Sequence, residues 1–394
     1  MAIEECRVCG SRNTALFLQR DQVPVHQNLV FAGRPQALAA PRGELRMMVC
    51  EDCGFVFNQA FDATLLAYGQ DYDNTQSHSP CFDAYLDQLV HNMVTVQGVR
   101  NCRIVEVGCG KGHFLRKLVN YPAAGNQGFG FDPSYVGPDS DLEGRLVFSR
   151  SFYGAGCADV AADVVVCRHV IEHVPDPAAL LDAVRCALVR SPDARVFFET
   201  PCVEWILRNR VLWDLFYEHC ALFCAASLRL AFERHGFSVE SVSHVFGGQY
   251  LWLQARPAPC ALHDGWPARA GAAVASLARA FGADEQSLRQ TWLGRLEVLK
   301  QQGKIALWGA GAKGVTFANL VDLDGALLDC VVDINPHKQG CFVPGTGHPI
   351  VAPASLPQRG VRNVILMNPN YRNENRQLLE AVRCDAQLVD WSEA

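Results

Sequence analysis

The sequence predicts an α/β protein in which two parallel-sheet domains follow a small cysteine-rich module. Two Cys-x-x-Cys pairs lie near the N-terminus, and short apolar strands alternate with helical segments from about residue 103 and again from residue 304. Each alternation opens with a strand and a glycine-rich turn, as expected for parallel sheets with crossover helices. The expected divisions are an N-terminal module at 1–67, a first α/β domain at 68–255, a helical connector at 256–302 and a smaller α/β domain at 303–394.

The composition favours a folded protein with several buried cores. Of 394 residues, 49% are hydrophobic and 19% are charged, which excludes a mainly disordered chain. The net charge of −6 offers no basic field for nucleic acid or an anionic membrane. No apolar run approaches the roughly 18 residues of a membrane span, and the first residues do not resemble a signal peptide. We expect a cytoplasmic protein, monomer or homodimer, that binds a small molecule and neither nucleic acid nor membrane.

Four of the 17 cysteines form a recognisable pattern. In a reducing compartment so many cysteines call for a role other than disulfide bonding. Two Cys-x-x-Cys-Gly knuckles supply four thiolates from two tight turns, a set that suits a closed, tetrahedral Zn²⁺ site. We interpret them as a structural zinc site, with a redox pair or unrelated core cysteines as alternatives; the ligands are Cys6, Cys9, Cys50 and Cys53.

The first glycine-rich turn predicts a nucleoside-binding site. Predicted strands at 103–107 and 128–131 end at the two parts of this site. Glycines let the backbone approach a ligand, and an acid that ends the second strand can bind a ribose diol. The spacing is Gly-x-Gly-x-Gly, which disfavours the alternative of a nicotinamide-binding loop. The candidate residues are Glu106, Gly108, Gly110, Gly112 and Asp132.

This pattern resembles the class I S-adenosylmethionine (SAM) methyltransferases. The stretch from Asp163 to Pro177 is similar to the fourth strand and following loop of that family. The resemblance implies a SAM-binding, Rossmann-like sheet, with Arg168 and His169 at the cofactor and His169 at the edge of the methyl-transfer site. For His173, we expect the structural role of capping the next helix.

A polar and aromatic segment follows the predicted fifth strand. Tyr217, Glu218 and His219 combine a donor, an orienting carboxylate and a base with a pKa near neutrality. Such a cluster can remove a proton beside a ketone, although an aromatic-rich helix start with a hydrogen-bonded histidine is the equal alternative. An upstream polar segment is either a substrate lid or a solvated loop; its candidate residues are Tyr72, Asn74, Gln76 and His78.

The second glycine-rich turn, by itself a weak signal, is followed by a more specific pattern. A Gly-x-Gly-x-x-Gly turn precedes an acid about 20 residues downstream, as in nucleotide-binding folds. The acid begins an Asp-Ile-Asn-Pro-His-Lys run, and the candidate residues for a nucleotide ligand are Gly309, Gly311, Lys313, Asp333, Asn335 and His337.

Together these features resemble the sugar-nucleotide C-methyltransferases. That family has a four-cysteine zinc module, a SAM domain and a C-terminal Rossmann-like domain in the same order. The resemblance implies that His219 is the catalytic base, with Glu218 beside it and donors such as Tyr217 or His169 stabilising an enolate. It also implies that the C-terminal domain binds the nucleotide of the substrate. The alternative is a degenerate Rossmann-like domain that binds no ligand. The family reads Tyr-His-Glu-His where this chain has Phe216 and Tyr217 before Glu218 and His219.

The sequence therefore predicts a zinc-containing, SAM-dependent methyltransferase that methylates carbon in a 4-keto nucleotide sugar through an enolate. The enzyme alternative is an O- or N-methyltransferase acting on another nucleotide-linked or small metabolite. Two further alternatives are a zinc-ribbon nucleic-acid binder or RNA methyltransferase, which the acidic charge disfavours, and a SAM-binding scaffold without activity.

Overall fold

A computed structural model describes residues 5–66, 78–259 and 271–390. The strands belong to three sheets and are, in chain order, β1 (Thr14–Pro24), β2 (Arg42–Cys50), β3 (Val56–Asn58), β4 (Arg103–Val107), β5 (Gln127–Phe131), β6 (Ser140–Asp141), β7 (Leu146–Ser149), β8 (Val164–Arg168), β9 (Arg195–Pro201), β10 (Ala221–Leu222), β11 (Phe237–Val245), β12 (Tyr250–Pro257), β13 (Lys304–Trp308), β14 (Leu328–Val332), β15 (Ile350–Val351), β16 (Val361–Leu366) and β17 (Gln387–Asp390).

The α-helices mostly connect parallel strands. They are α1 (Arg34–Leu38), α2 (Pro80–Thr95), α3 (His113–Asn120), α4 (Pro177–Ala187), α5 (Val203–Arg208), α6 (Ala225–Arg234), α7 (Ala272–Gln302), α8 (Ala312–Val321), α9 (Leu356–Arg359) and α10 (Arg372–Ala381). Among the described ranges, no helix combines the length and apolarity that a membrane crossing requires.

The N-terminal module is built on an antiparallel sheet that includes one strand from the middle of the chain. Its order is β1-β2-β3-β10. Strand β10 follows His219 by two residues and pairs with β3, with Ala221 opposite Phe57 and Leu222 opposite Val56. The module therefore holds the segment that carries the expected catalytic base.

The central domain contains an eight-stranded mixed sheet. Its order is β11-β12-β9-β8-β4-β5-β7-β6. The five strands from β9 to β7 are parallel, whereas β12 runs antiparallel between β9 and β11. An order reversal at β4 places the carboxyl ends of β4, β5 and β8 around one crevice, where open α/β sheets bind ligands. This arrangement is the class I SAM methyltransferase fold that the sequence predicted.

The C-terminal domain has a smaller, entirely parallel sheet. Its five strands follow the order β15-β14-β13-β16-β17, with the glycine-rich turn after the central strand β13. This sheet confirms the predicted second α/β fold. The second glycine-rich turn therefore lies at the carboxyl end of the central strand of its sheet, at the same kind of crevice as the first turn.

The three parts share buried surface. One apolar core joins residues of β1 and β2, the segment before His219, α7 and the C-terminal sheet. A backbone bridge between Phe31 and Phe342 links the N-terminal module with the C-terminal domain. The carboxylate of Glu374, on α10, accepts hydrogen bonds from Ser79 Oγ (2.7 Å) and the Cys81 amide (2.9 Å), which caps the N-terminus of α2. The segment 212–222 thus shares a core with the N-terminal module and the C-terminal sheet, and Glu374 links the C-terminal domain to α2.

Most predicted elements are confirmed, with one correction. The expected helical connector at 256–302 contains α7, and the second alternation of strands and helices, expected from residue 304, begins with β13. The helical connector was expected to begin at Arg256, but Arg256 and Pro257 complete β12. The strand continues because Arg256 and Pro257 still lie opposite β11 residues, and proline is tolerated where a strand ends.

Candidate active site

The four cysteines of the two knuckles converge at the edge of the N-terminal sheet. Their sulfur atoms all lie within 4.8 Å of one another. The Sγ–Sγ distance is 3.6 Å from Cys6 to Cys53 and 3.5 Å from Cys9 to Cys50. Tetrahedral zinc with Zn–S bonds of about 2.3 Å needs sulfurs about 3.8 Å apart, whereas a disulfide needs about 2.05 Å. The cluster fits a four-coordinate ion.

The first glycine-rich turn forms a cradle after β4. Gly108, Gly110 and Gly112 have φ angles of +67°, +52° and +72°, which L side chains rarely adopt. A Cβ at Gly108 would lie 2.2 Å from Val170 Cγ2, whereas one at Gly110 would meet nothing within 4 Å. The first glycine therefore permits close packing and the second leaves an open position for a ligand.

Asp132 lies beside this cradle at the end of β5. One carboxylate oxygen accepts a hydrogen bond from the Gly110 amide at 2.8 Å. The other accepts hydrogen bonds from the amide and hydroxyl of Ser134, at 2.8 and 2.6 Å. The half-buried carboxylate is thus held at the crevice, where a ribose of a cofactor would lie.

Two ionisable side chains lie beneath the cradle with unused hydrogen-bonding atoms. Glu106 is 3% exposed, and burial raises its pKa to about 8, opposed chiefly by Arg168. Arg168 donates from Nε to Glu199 Oε2 at 2.5 Å, and its guanidinium lies 4.5 Å from the centre of the Phe114 ring. Within the described ranges, Glu106 Oε2 and Arg168 Nη2 are buried and have no hydrogen-bond partner. The pair can receive a ligand with both an ammonium and a carboxylate group.

His169 is held in a strained position at the carboxyl end of β8. Its φ of +53° is uncommon for histidine, and its amide donates to the Glu199 carbonyl at 2.9 Å. Nδ1 lies 3.2 Å from Glu172 Oε1, and Nε2 lies 3.7 Å from Glu199 Oε1. Burial opposes protonation, but the two carboxylates outweigh it and raise the pKa of His169 to about 9. His169 therefore carries a positive charge at neutral pH.

His219 approaches this region from the N-terminal sheet. Its ring centroid lies 4.0 Å from that of Phe216 and 4.8 Å from that of His173. Burial holds the pKa of His219 well below its usual value, and the neighbouring His173, His169 and Lys313 lower it further. A neutral imidazole at this point has a free lone pair and can accept a proton.

The two residues before His219 direct their polar atoms to the N-terminal module. Tyr217 is fully buried, and its hydroxyl accepts a hydrogen bond from the Asp62 amide at 2.8 Å. Glu218 is also fully buried, and its Oε2 accepts the Gln27 amide at 2.9 Å. These two contacts bind the segment to the N-terminal module. The side chain of His219 lies on the opposite side of the segment.

The second glycine-rich turn is a well-formed Rossmann-type turn. A Cβ at Gly314 would lie 1.9 Å from the Gly309 carbonyl oxygen, so the third glycine permits close contact between α8 and β13. Asp333 accepts the amides of Ala310 and Asn335, each at 2.8 Å. Asn335 is buried and caps its own turn by accepting the His337 amide at 3.0 Å, while His337 is exposed.

Lys313 extends from this turn towards the central domain. Its Nζ lies 2.7 Å from Asp214 Oδ2 and donates to Gln249 Oε1 at 3.2 Å. Gln249 in turn exchanges two hydrogen bonds with Asn368, at 2.9 and 3.0 Å. The lysine therefore joins the two α/β domains beside His219.

The structure brings together His169 and His219 with the cofactor cradle, and sets the zinc-type cluster apart. Of the expected lid residues, Tyr72, Asn74 and Gln76 lie outside the described residues, and His78 is exposed just before α2. Sequence reasoning missed Glu199, which pairs with Arg168; its position at the end of the apolar run 195–199 was the available signal.

Comparisons with known proteins agree with this architecture. Residues 77–242 match a family described as a methyltransferase domain, and residues 268–389 match one described as a C-methyltransferase C-terminal domain. The C-methyltransferase NovU of Streptomyces niveus is 26% identical over 392 residues, covering 94% of this chain and 91% of the relative. A ubiquinone biosynthesis O-methyltransferase of Salmonella paratyphi A is 32% identical over 108 residues, covering 26% of this chain and 44% of the relative.

Each part of the architecture now has an independent counterpart. The sheet order and the cradle agree with the family match over residues 77–242, and the C-terminal sheet lies within the match over residues 268–389. The chain is a SAM-dependent methyltransferase whose second α/β domain is of the C-methyltransferase type.

Proposed function

We propose that the protein transfers a methyl group from SAM to carbon in a 4-keto nucleotide sugar. The observation that carries the proposal is the position of His219, whose ring contacts His173 of the SAM-type domain and which feels the charges of His169 and of Lys313 in the C-terminal domain. The likeness to NovU along 94% of the chain supports carbon as the acceptor. The short likeness to O-methyltransferases supports the second candidate, transfer to oxygen.

The cofactor would occupy the cradle at the carboxyl ends of β4 and β5. Asp132 would hold the ribose hydroxyls, and the open position at Gly110 would face the cofactor. The unused atoms of Glu106 and Arg168 match the ammonium and carboxylate of its methionine part. When bound, SAM supplies an electrophilic methyl group.

His219 would act as the base. Its lowered pKa keeps the imidazole neutral at physiological pH but makes it a weaker base, so removal of the proton from the carbon beside the ketone depends on stabilisation of the enolate as it forms. The cationic His169, whose charge acts on His219, would stabilise the enolate oxygen. Tyr217 and Glu218 position His219 through their contacts with the N-terminal module.

The N-terminal module would depend on zinc. Four sulfurs at tetrahedral spacing leave no open position for chemistry, so the ion would stabilise the fold. Because β3 pairs with β10, the same fold positions the catalytic segment. Zinc would thus act on catalysis only through His219.

The C-terminal domain would bind the nucleotide of the substrate. The turn after β13 presents the N-terminus of the ten-residue helix α8, and backbone amides there attract phosphate. Lys313, at the start of α8, is bound to Asp214 and Gln249, and its charge acts on His219. A nucleotide held here would extend its sugar into the crevice between the domains.

Deuterium exchange tests the assignment of the base. The enzyme is incubated in D₂O with a 4-keto nucleotide sugar and without SAM, and the carbon beside the ketone is followed by proton NMR. We expect deuterium uptake with the wild type and none above background with His219→Ala. His235→Asn, which changes a histidine remote from the crevice, serves as the control. Methyl transfer to oxygen without any exchange would refute the proposal in favour of the second candidate.

A further inference from the structure

Three side chains in the crevice form a cluster distinct from the cysteine site. Glu172 and His173 lie in the turn Ile171–His173 after β8, and His219 faces them from the segment before β10. Each offers one ligand atom, and these three atoms lie within 4.8 Å of one another. Two elements distant in sequence therefore present two imidazoles and one carboxylate to the same point.

The hydrogen bonding of this cluster is incomplete. Across the parts of the chain that the structure describes, the Nδ1 atoms of His173 and His219 are buried and have no partner. Glu172 is 0% exposed, and its Oε2 accepts the Thr200 hydroxyl at 3.0 Å while Oε1 lies 3.2 Å from His169 Nδ1. Metal-bound carboxylates are held by such outer contacts.

We propose that Glu172, His173 and His219 bind a divalent transition-metal ion such as Zn²⁺, Co²⁺ or Ni²⁺. Imidazole nitrogen suits these ions, whereas Mg²⁺ and Ca²⁺ prefer sites made only of oxygen. Three protein ligands also leave a coordination position open towards the crevice. The site takes this ion in addition to the one that the four cysteines would hold.

Occupation of this site blocks the base. A coordinated His219 uses its lone pair on the metal and cannot accept a proton, so the ion inhibits enolate formation; this consequence rests on the proposed function. This site offers one carboxylate, whose Oε1 also contacts His169 Nδ1 at 3.2 Å, whereas the cysteine cluster offers four thiolates. The ion is therefore held more weakly than a four-thiolate zinc and is removed by a mild chelator.

Cobalt binding tests the site without any substrate. Zinc-loaded protein is dialysed against a weak chelator, titrated with Co²⁺ and followed by visible absorption and equilibrium dialysis. We expect one cobalt per chain without thiolate-to-cobalt charge-transfer bands, and binding at least tenfold weaker in Glu172→Gln and His173→Asn. His235→Asn, whose histidine pairs with Asp182 outside the crevice, should bind as the wild type does. Absence of the extra cobalt, or equal binding in all variants, overturns the site.

Inhibition is measured separately in the D₂O exchange assay. The exchange rate should fall in proportion to cobalt occupancy and recover when chelator is added. For His173→Asn, inhibition is measured relative to the rate of that variant without cobalt. Half-inhibition of this variant should need at least tenfold more cobalt than half-inhibition of the wild type. Exchange that cobalt leaves unchanged or accelerates would overturn the blocking role. Absence of exchange in cobalt-free wild type would instead count against the proposed function, with the binding titration still deciding the site.

Discussion

Arg20 connects the N-terminal module to the catalytic segment and offers the sharpest test of that module's role. Its side chain is 4% exposed and lies 2.7 Å from Glu285 on α7, itself 12% exposed. The guanidinium also donates to the carbonyls of Leu212 and Leu215, at 2.9 and 2.8 Å. Leu215 precedes His219 by four residues. The substitution Arg20→Met removes all three contacts while keeping a long apolar side chain.

The expected cost follows from these contacts. Removing one partner of a buried ion pair destabilises by about 3–5 kcal/mol, because the remaining charge is left without compensation. Each abandoned carbonyl adds about 1 kcal/mol unless water reaches it. The lost ion pair and the two unpaired carbonyls together should make local opening of residues 212–222 easier by about 5–7 kcal/mol. Since a misplacement of about 1 Å can cost about 100-fold in rate, kcat should fall 10- to 100-fold.

Hydrogen-exchange mass spectrometry of peptides covering residues 212–222 measures the opening, and methyl-transfer kinetics measure kcat. Arg12→Met is the control, because the Arg12–Glu5 pair is 74% and 54% exposed and contributes less than about 1 kcal/mol. The double variant Arg20→Met with Glu285→Leu should regain protection, since no buried charge remains, but stay slow because both carbonyls remain unpaired. An Arg20→Met enzyme with kcat within twofold of the wild type would refute the reasoning.

Three further predictions concern the cofactor cradle and the cysteine cluster. Gly108→Ala should weaken SAM binding at least tenfold in calorimetry, because the new Cβ would lie 2.2 Å from Val170. The control Gly98→Ala, at a glycine with φ +65° but no atom within 4 Å of the new Cβ, should leave the affinity within twofold of the wild type. Equal effects of the two substitutions would contradict the role of the clash. Burial raises the pKa of Glu106 to about 8, from an ordinary value of 4.5, so this group destabilises the SAM-free fold increasingly as pH rises from about 4.5 to 8. Glu106→Gln should accordingly have a higher Tm than the wild type at pH 8 and the same Tm at pH 4.5; a difference independent of pH would count against this cause. Removal of zinc by a strong chelator, or Cys50→Ser, should unfold the N-terminal module and abolish activity, whereas a fully active metal-free enzyme would show that the cluster needs no ion.

The sequence was informative where a local pattern decides the structure. The strand at 103–107, the glycine turn after it and the acid at Asp132 follow from apolar runs and backbone conformations confined to about 30 residues. The four cysteines can likewise be grouped by their spacing alone, because two short knuckles bring their own ligands together. Such features depend little on distant parts of the chain.

Orientation within the catalytic segment could not be read from the sequence. Tyr217 was expected to stabilise the enolate and Glu218 to orient His219, yet their polar atoms contact the N-terminal module, and the Gln27–Glu218 contact spans 191 residues. The segment has no regular helical or strand period, so its faces are set by distant partners rather than by spacing. His173 was expected to cap a helix, and its approach to His219 depends on the same long-range packing.

Transfer of a labelled methyl group tests the central claim most directly. The enzyme is incubated with SAM carrying a ¹³C methyl group and a 4-keto nucleotide sugar, and the product is examined by carbon NMR. The account predicts a labelled methyl bonded to the carbon beside the ketone, with one-bond carbon–carbon coupling when the sugar is also labelled. A labelled methoxy group, lacking that coupling, would contradict it.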